Sequence, residues 1–345
     1  MAYTTINKST DYFNTKLYTG NGTARDIDVG FDTDLVWIKR RNGTANHRLT
    51  DRVRGATNML SSNNTNATQT DAQTVTGFIT NGFSLGTDSG GYDVNTNSNT
   101  YASWNWKANG AGSANTDGTI SSTVSANTTA GFSIVSYTGN ATAGSTIGHG
   151  LGSAPSMIIA KRRSAVENWG VYHKSMGASK YINLDTTTAE QSSTSRWNGT
   201  EPTSSVFSVN THASVNGSGD TYIAYCFAEK QGYSKFGSYV GNGNADGTFV
   251  YTGFKPAFVL WKHTTDGYGW YMLDNKRDPD NVAEKYIYAN LSDAEGTNPF
   301  FDLLSNGFKV RESGGGSNGS GATYIYMAFA EAPLVGTNNV PCTAR

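Results

Sequence analysis

Apolar and polar positions alternate along this chain in short runs, and no stretch keeps a helical period long enough to predict a helix. The clearest alternation falls in three segments, 101–106, 222–227 and 324–329. Residues two apart share one side of a strand. One side therefore carries Ala102, Trp104 and Trp106, then Ile223, Tyr225 and Phe227, then Ile325, Met327 and Phe329. That side is expected to face the interior, because a slip of one residue would drive Trp104, Trp106, Phe227 and Phe329 into water. The other side of the first segment, Tyr101, Ser103 and Asn105, is the wetter one. Residues 35–40, 157–162 and 258–263 are apolar on both sides, as a central strand would be, and each ends in a base.

These segments belong to a pattern that occurs three times. It opens with Tyr18-Thr19-Gly20-Asn21, Tyr137-Thr138-Gly139-Asn140 and Tyr239-Val240-Gly241-Asn242. The apolar runs follow, the second and third led by Pro155 and Pro256. Next come Asn81-Gly82-Phe83 and Asn306-Gly307-Phe308, where the middle copy keeps only Val206-Phe207-Ser208-Val209. Each copy closes with Thr-Tyr at Tyr101, Tyr222 or Tyr324, which lie 83, 85 and 85 residues after the opening Tyr. Four landmarks at matched spacing establish a triplication. Units of about 100 residues with turn signals every 8 to 12 or so predict an all-β chain of tandem β-sandwich or jelly-roll units. The expected organisation is a first unit at 1–107, a Gly/Ser/Thr linker at 108–130, a second unit at 131–230, a third at 235–333 and a tail at 334–345. The linker sets the first unit apart as the expected attachment end.

Composition agrees with that class and excludes others. Of 345 residues, 12 % are aromatic and 15 % charged, so rings can fill cores while few charges repel. A net charge of −1 leaves no basic footprint for nucleic acid. No apolar run is long enough to insert in a membrane, and the N-terminus lacks the features of a secretory signal. Folding and assembly in the cytoplasm of the cell that makes it, without a signal peptide, are therefore expected. Cys226 and Cys342 lie in unlike contexts, against a disulfide framework.

Candidate chemistry is sparse. His47, His149, His173, His212 and His263 are scattered and form no metal-binding spacing. Gly315-Gly316-Ser317-Asn318-Gly319 matches Gly-x-Ser-x-Gly, but leads into a strand where a nucleophile elbow needs a helix. The acidic loop 274–281 could hold Ca²⁺, although Lys276 and Arg277 favour a solvated turn. Glu167, Glu190 and Asp185 are the carboxylates a glycan-cleaving enzyme would draw on. Trp37, Trp104, Trp106 and Trp261 are expected in the core. Trp169, Trp197 and Trp270 are the carbohydrate-binding candidates, since they lie among polar neighbours where rings can stack on sugars. Trp169 and Trp270 hold one position in two copies, 32 and 31 residues after their opening Tyr. The bases at 39–41 and 161–163 are expected as strand ends in solvent. The expectation is a non-enzyme with no metal and no cofactor.

The repeat resembles one found in virion proteins of marine bacteriophages. The resemblance rests on Tyr-Thr-Gly-Asn-Gly, the Pro-led runs ending in Trp-x-Lys or Ile-x-Lys-Arg, Asn-Gly-Phe, and the sequence at 221–230. It extends to the opening residues 1–6, to residues 121–135, and to the pair Tyr181-Ile182-Asn183-Leu184 and Tyr288-Ala289-Asn290-Leu291. It implies lectin-like, concanavalin-type jelly-roll units in a tail-fibre or tail-spike component on the virion. Such a protein would contact other virion proteins and a host surface glycan or receptor, as a homo-oligomer with a trimer favoured. The alternatives are a capsid decoration or head-fibre protein, and a glycan-cleaving enzyme on the same scaffold. The chain lacks the heptads and collagen-like glycine period of a long shaft, which points to a compact appendage.

Overall fold

The computed structural model describes residues 3–336. Nearly all its regular structure is antiparallel strand, and no helix among these residues is long and apolar enough to cross a membrane. One four-strand motif recurs with the sequence repeat. In the first unit an opening strand Phe13–Thr19 pairs with the closing strand Thr100–Trp106. The closing strand pairs with a central strand Leu35–Arg40, and that with a flanking strand Arg48–Asp51. The same order holds for Phe132–Thr138, Thr221–Phe227, Met157–Arg162 and Gly170–His173. It holds again for Ser234–Val240, Thr323–Pro333, Phe254–His263 and Trp270–Asp274.

A second layer packs on one face of each motif. It contains Gly82–Leu85, Val206–Val209 or Gly307–Val310, paired with a short edge strand at Arg25–Asp28, Ser145–Gly148 or Phe249–Tyr251. Three separate cores lie between the layers. Ile27, Val36, Ile38, Phe83 and Tyr101 build the first, and Tyr137, Ile158, Phe207, Tyr222 and Cys226 belong to the second. Val259, Trp261, Phe308, Tyr324 and Tyr326 lie in the third.

The other face of the closing strands does not fill these cores. Trp104, Trp106, Ile223, Tyr225, Phe227, Ile325, Met327 and Phe329 share a fourth, central core in which all three units meet. Trp106 lies at its centre, with ring centroids 5.0 Å from Phe13, 6.3 Å from Phe227 and 5.9 Å from Phe329. The sheets are therefore buried on both sides. Ser103 and Asn105, expected on a wetter face, are wholly buried. Trp37 faces the central core, while Trp261 faces the third unit's own core, because Trp37 aligns with Leu260 and not with Trp261. A small cavity in the central core, of about 10 Å³, is lined by residues of all three units, including Trp37, Ile159 and Met327.

The first unit is not set apart. Within the stretch expected as a linker, Ser113–Asn115 and Ser122–Asn127 are strands, and the second of these pairs with Phe132–Thr138. Head-to-tail contacts then close a ring. After each central strand the chain receives a loop from the preceding unit. Thr68 N donates to Arg163 O at 2.9 Å, Glu190 N to Thr264 O at 2.7 Å, and Glu295 N to Arg41 O at 2.9 Å. Arg41, Arg163 and Thr264 hold one repeat position, so the first unit takes the third's loop, the second the first's and the third the second's. Three heterologous contacts of this kind close on themselves, as in a cyclic trimer.

Candidate functional site

The three candidate tryptophans do not reach the surface. Trp169 is 0 % exposed, Trp270 1 % and Trp197 2 %, so none offers a ring face to a sugar. Register explains two of them. Trp169, Trp270 and His47 each sit two residues before a paired position, Val171, Met272 and Leu49. Each reaches a main-chain carbonyl of the preceding unit: Ser61 at 2.9 Å, Asn183 at 2.9 Å and Tyr288 at 2.8 Å. They are anchors between units, and an indole suits a carbonyl in a buried junction as well as it would suit a sugar. Trp197 lies in the second unit's own core, edge-on to Tyr172 at 6.1 Å.

Of the basic strand ends the lysines are internal too, while Arg40, Arg41, Arg162 and Arg163 are half-exposed. Lys39, Lys161 and Lys262 are fully buried, not in solvent, and burial pushes each down to about 8. Each ammonium is held by carbonyls. Lys161 reaches Arg162 at 2.7 Å and Thr65 of the first unit at 3.2 Å. Lys262 reaches His263 at 2.8 Å and Thr187 of the second unit at 3.2 Å. Arg41 makes a two-pronged pair with Glu295 of the third unit, at 2.9 Å for both bonds.

A second set of ring contacts accounts for the acidic loop. Asp51, His173 and Asp274 share one position at the end of the flanking strand, and Trp104, Tyr225 and Met327 share one position on the closing strand. Tyr225 donates to Asp51 at 2.8 Å, and Trp104 donates to Asp274 at 3.0 Å. Each of these aspartates also pairs with a buried arginine three residues on, Arg54 or Arg277. Asp274 is thus engaged within the junction, and Asp278 accepts from Glu284 N at 2.6 Å and Lys285 N at 3.2 Å. Where the neighbour is Met327, which has no donor, the aspartate is replaced by His173 and the arginine by Met176. His173 Nδ1 accepts from Ser175 N, which leaves Nε2 to donate to Tyr326 O at 3.2 Å. Burial brings this imidazole down to about 4, so it stays neutral.

The remaining candidates are also placed. Ser317 donates to Glu312 at 2.5 Å within a turn. Asp185 accepts from Trp169 N at 2.9 Å, at the position where Asn63 and Asn290 accept from His47 N and Trp270 N. Burial raises Asp185 to about 6. Glu190 pairs with Lys180 at 2.5 Å, and Glu167 Oε1 accepts from Asn168 N at 2.9 Å. Among the described residues no group of His, Cys, Asp and Glu could hold a metal ion. Cys226 is buried, which raises its thiol, and Cys342 lies outside the described residues.

What the fold leaves outside, three times over, is a polar rim where the opening strand ends and the closing strand begins. The two landmark tyrosines stack on each other there, with centroids at 5.1, 5.1 and 4.9 Å in the three units. A wholly buried asparagine six residues before each closing Tyr (Asn95, Asn216, Asn318) locks the rim. Asn216 Oδ1 accepts from Asn140 N at 2.9 Å, and its amide donates to Thr142 O at 3.0 Å and Asn210 O at 2.8 Å. Asn318 and Asn95 repeat this bracket on Asn242 and Asn21. The glycine of Tyr-Thr-Gly-Asn is required by a close approach. A Cβ on Gly139 would lie 2.4 Å from Gly217 O, and one on Gly241 would lie 2.3 Å from Gly319 O. Outside the bracket, Asn21, Thr23, Asn140, Thr142, Asn242 and Asn244 belong to exposed or half-exposed loops. Sequence reasoning missed the locking asparagines, although their constant offset from the closing Tyr was there to be read.

A family model described as a domain of unknown function (DUF7483) matches residues 8–333. No curated protein and no solved structure matches the chain.

Proposed function

The chain belongs to the DUF7483 family, and we propose that it is a structural protein of a bacteriophage virion, a compact tail-fibre or tail-spike component that adheres to the host surface. The observation that carries this reading is the threefold repetition of a locked polar rim on a block whose rings and ionisable groups are largely spent on holding its units together. Rim loops already held by buried Asn216 and its siblings lose little freedom on binding. Three similar rims in one rigid body let weak contacts add through high effective concentration. Recognition at such loops works through hydrogen bonds from asparagine, threonine and main chain, the chemistry that suits a hydroxyl-rich glycan. With 15 % charged residues and a net charge of −1, binding of this kind depends little on salt.

Gold-labelled antibody against the chain is expected to decorate the tails of phage particles. The purified protein is expected to bind host cells, and added host surface polysaccharide to compete. Label on the capsid lattice with no cell binding would replace this reading with a decoration role. Oligosaccharide release from that polysaccharide would replace it with an enzyme.

A further inference from the structure

One edge of the second layer is finished in a different way in each unit. The edge strands Arg25–Asp28, Ser145–Gly148 and Phe249–Tyr251 share a register in which Ile27, Ile147 and Val250 face inward opposite Phe83, Phe207 and Phe308. Antiparallel partners bond at alternate residues. In the third unit Val310 N donates to Thr248 O and Thr252 N donates to Asn306 O, so Phe249 and Tyr251 turn their main-chain groups to the free edge.

The corresponding residues of the first unit are the exposed Asp26 and Asp28, charges that discourage an added strand. In the second unit they are Thr146 and Gly148, and the chain itself covers them. Ile120 forms a parallel bridge with Ile147, its N donates to Thr146 O at 3.0 Å, and Ser122 Oγ donates to Gly148 O at 3.2 Å. The fold therefore accepts an added segment at this edge, bonded to it at residues 120 and 122. The third unit has no such segment, because only residues 231–233 separate the second unit from its opening strand. Among the described residues its edge is bare and apolar, with Phe249 45 % exposed and Tyr251 53 %. Beside them Val240, 56 % exposed, ends the opening strand, and its carbonyl accepts from Thr248 Oγ1 at 2.8 Å. These are three of the four large apolar residues exposed among the described residues. The adjacent Lys309 is neutralised by Asp246, which leaves no net charge to select a charged occupant.

We propose that the Phe249–Tyr251 edge binds an extended segment of a partner protein, neutral, rich in Ser and Thr and carrying a β-branched apolar residue. The segment adds in extended form along the edge, as Ile120 bridges Ile147 in the second unit. Main-chain bonds to residues 249 and 251 supply affinity, the apolar side chain lies on the inward face beside Val250 as Ile120 does beside Ile147, and the residues flanking it cover Phe249 and Tyr251. The inference rests on the three edges alone and stands apart from the host-adhesion reading.

The test is hydrogen-exchange mass spectrometry of the full chain with an end-capped synthetic peptide of residues 115–123, Asp117 replaced by Asn, as probe. Saturable slowing, about fivefold once the peptide exceeds four times its Kd, is expected at residues 247–252. The slowing should vanish in a Phe249→Asp/Tyr251→Asp variant that copies the first unit and keeps the wild-type thermal transition. It should also vanish with a peptide in which Ile120 is replaced by Asp. Unchanged exchange at 247–252, or equal slowing in the double variant, overturns the proposal. So does slow exchange there without peptide that is lost on dilution or on removal of residues 337–345. The edge would then already be filled by a second copy or by the chain's own end.

Discussion

Trp106 is the residue through which the three units are expected to stand or fall together. Its ring is 1 % exposed and lies among Phe13 of its own unit, Phe132 and Phe227 of the second, and Phe258 and Phe329 of the third. Cutting a buried tryptophan back to alanine costs about 3–5 kcal/mol, the larger values arising where the surroundings cannot close the cavity. Here the walls come from three sheets, each fixed by its own second layer, so Trp106→Ala is expected at about 5 kcal/mol. Trp106→Phe is a sharper probe. The indole Nε1 is buried with no hydrogen-bond partner, so phenylalanine loses volume but also removes an unpaired donor. A net cost of about 1–2 kcal/mol is expected. Urea unfolding followed by near-ultraviolet circular dichroism, with limited proteolysis at each step, measures both. One transition is expected, with cleavage sites in all three units opening together. A loss below about 1 kcal/mol for Trp106→Ala, or a separate transition confined to residues 13–106, would falsify the shared core.

Two further outcomes follow from the junctions between units. Arg54→Met alone leaves Asp51 buried without its ion-pair partner, and is expected to cost about 3–5 kcal/mol in chemical denaturation. The triple change Asp51→His/Arg54→Met/Tyr225→Met copies the junction built by His173, Met176 and Met327. It should recover to within about 1.5 kcal/mol of wild type, and failure to recover would show that the three junctions are not interchangeable. Asp185 is raised by burial to about 6 from 3.8. Its protonated form is the one the fold favours, so the stability it contributes is full below pH 3.8 and is lost as pH rises through about 6. The loss at neutral pH is bounded at about 3 kcal/mol. Asp185→Asn, which copies Asn63 and Asn290, should therefore raise the melting temperature at neutral pH and leave it unchanged near pH 3. An equal effect at both values would count against the assignment.

Much of this molecule was legible before any coordinates. Alternation at 101–106 and its two siblings names the residues that share a side of a strand, because the pleat has a period of two whatever surrounds it. Recurrence of Tyr, Gly and Asn at fixed offsets marks the rims, because a stacked tyrosine pair and a glycine pressed on a carbonyl tolerate few substitutes. Period and spacing are local properties, and the sequence by itself determined both the all-β class and the triplication. It did not determine what lies beyond each face. Whether Trp104 fills its own sandwich or meets Asp274 of another unit, some 170 residues away, depends on how three sheets pack. An indole such as Trp169 suits a sugar or a buried carbonyl equally well until its neighbours are known. Only the tertiary structure decided that a stretch composed like a linker pairs as strands beside Phe132–Thr138 and bridges Ile147 on the way. Only there do lysines at strand ends become buried, because loops from another part of the chain supply the carbonyls that hold them.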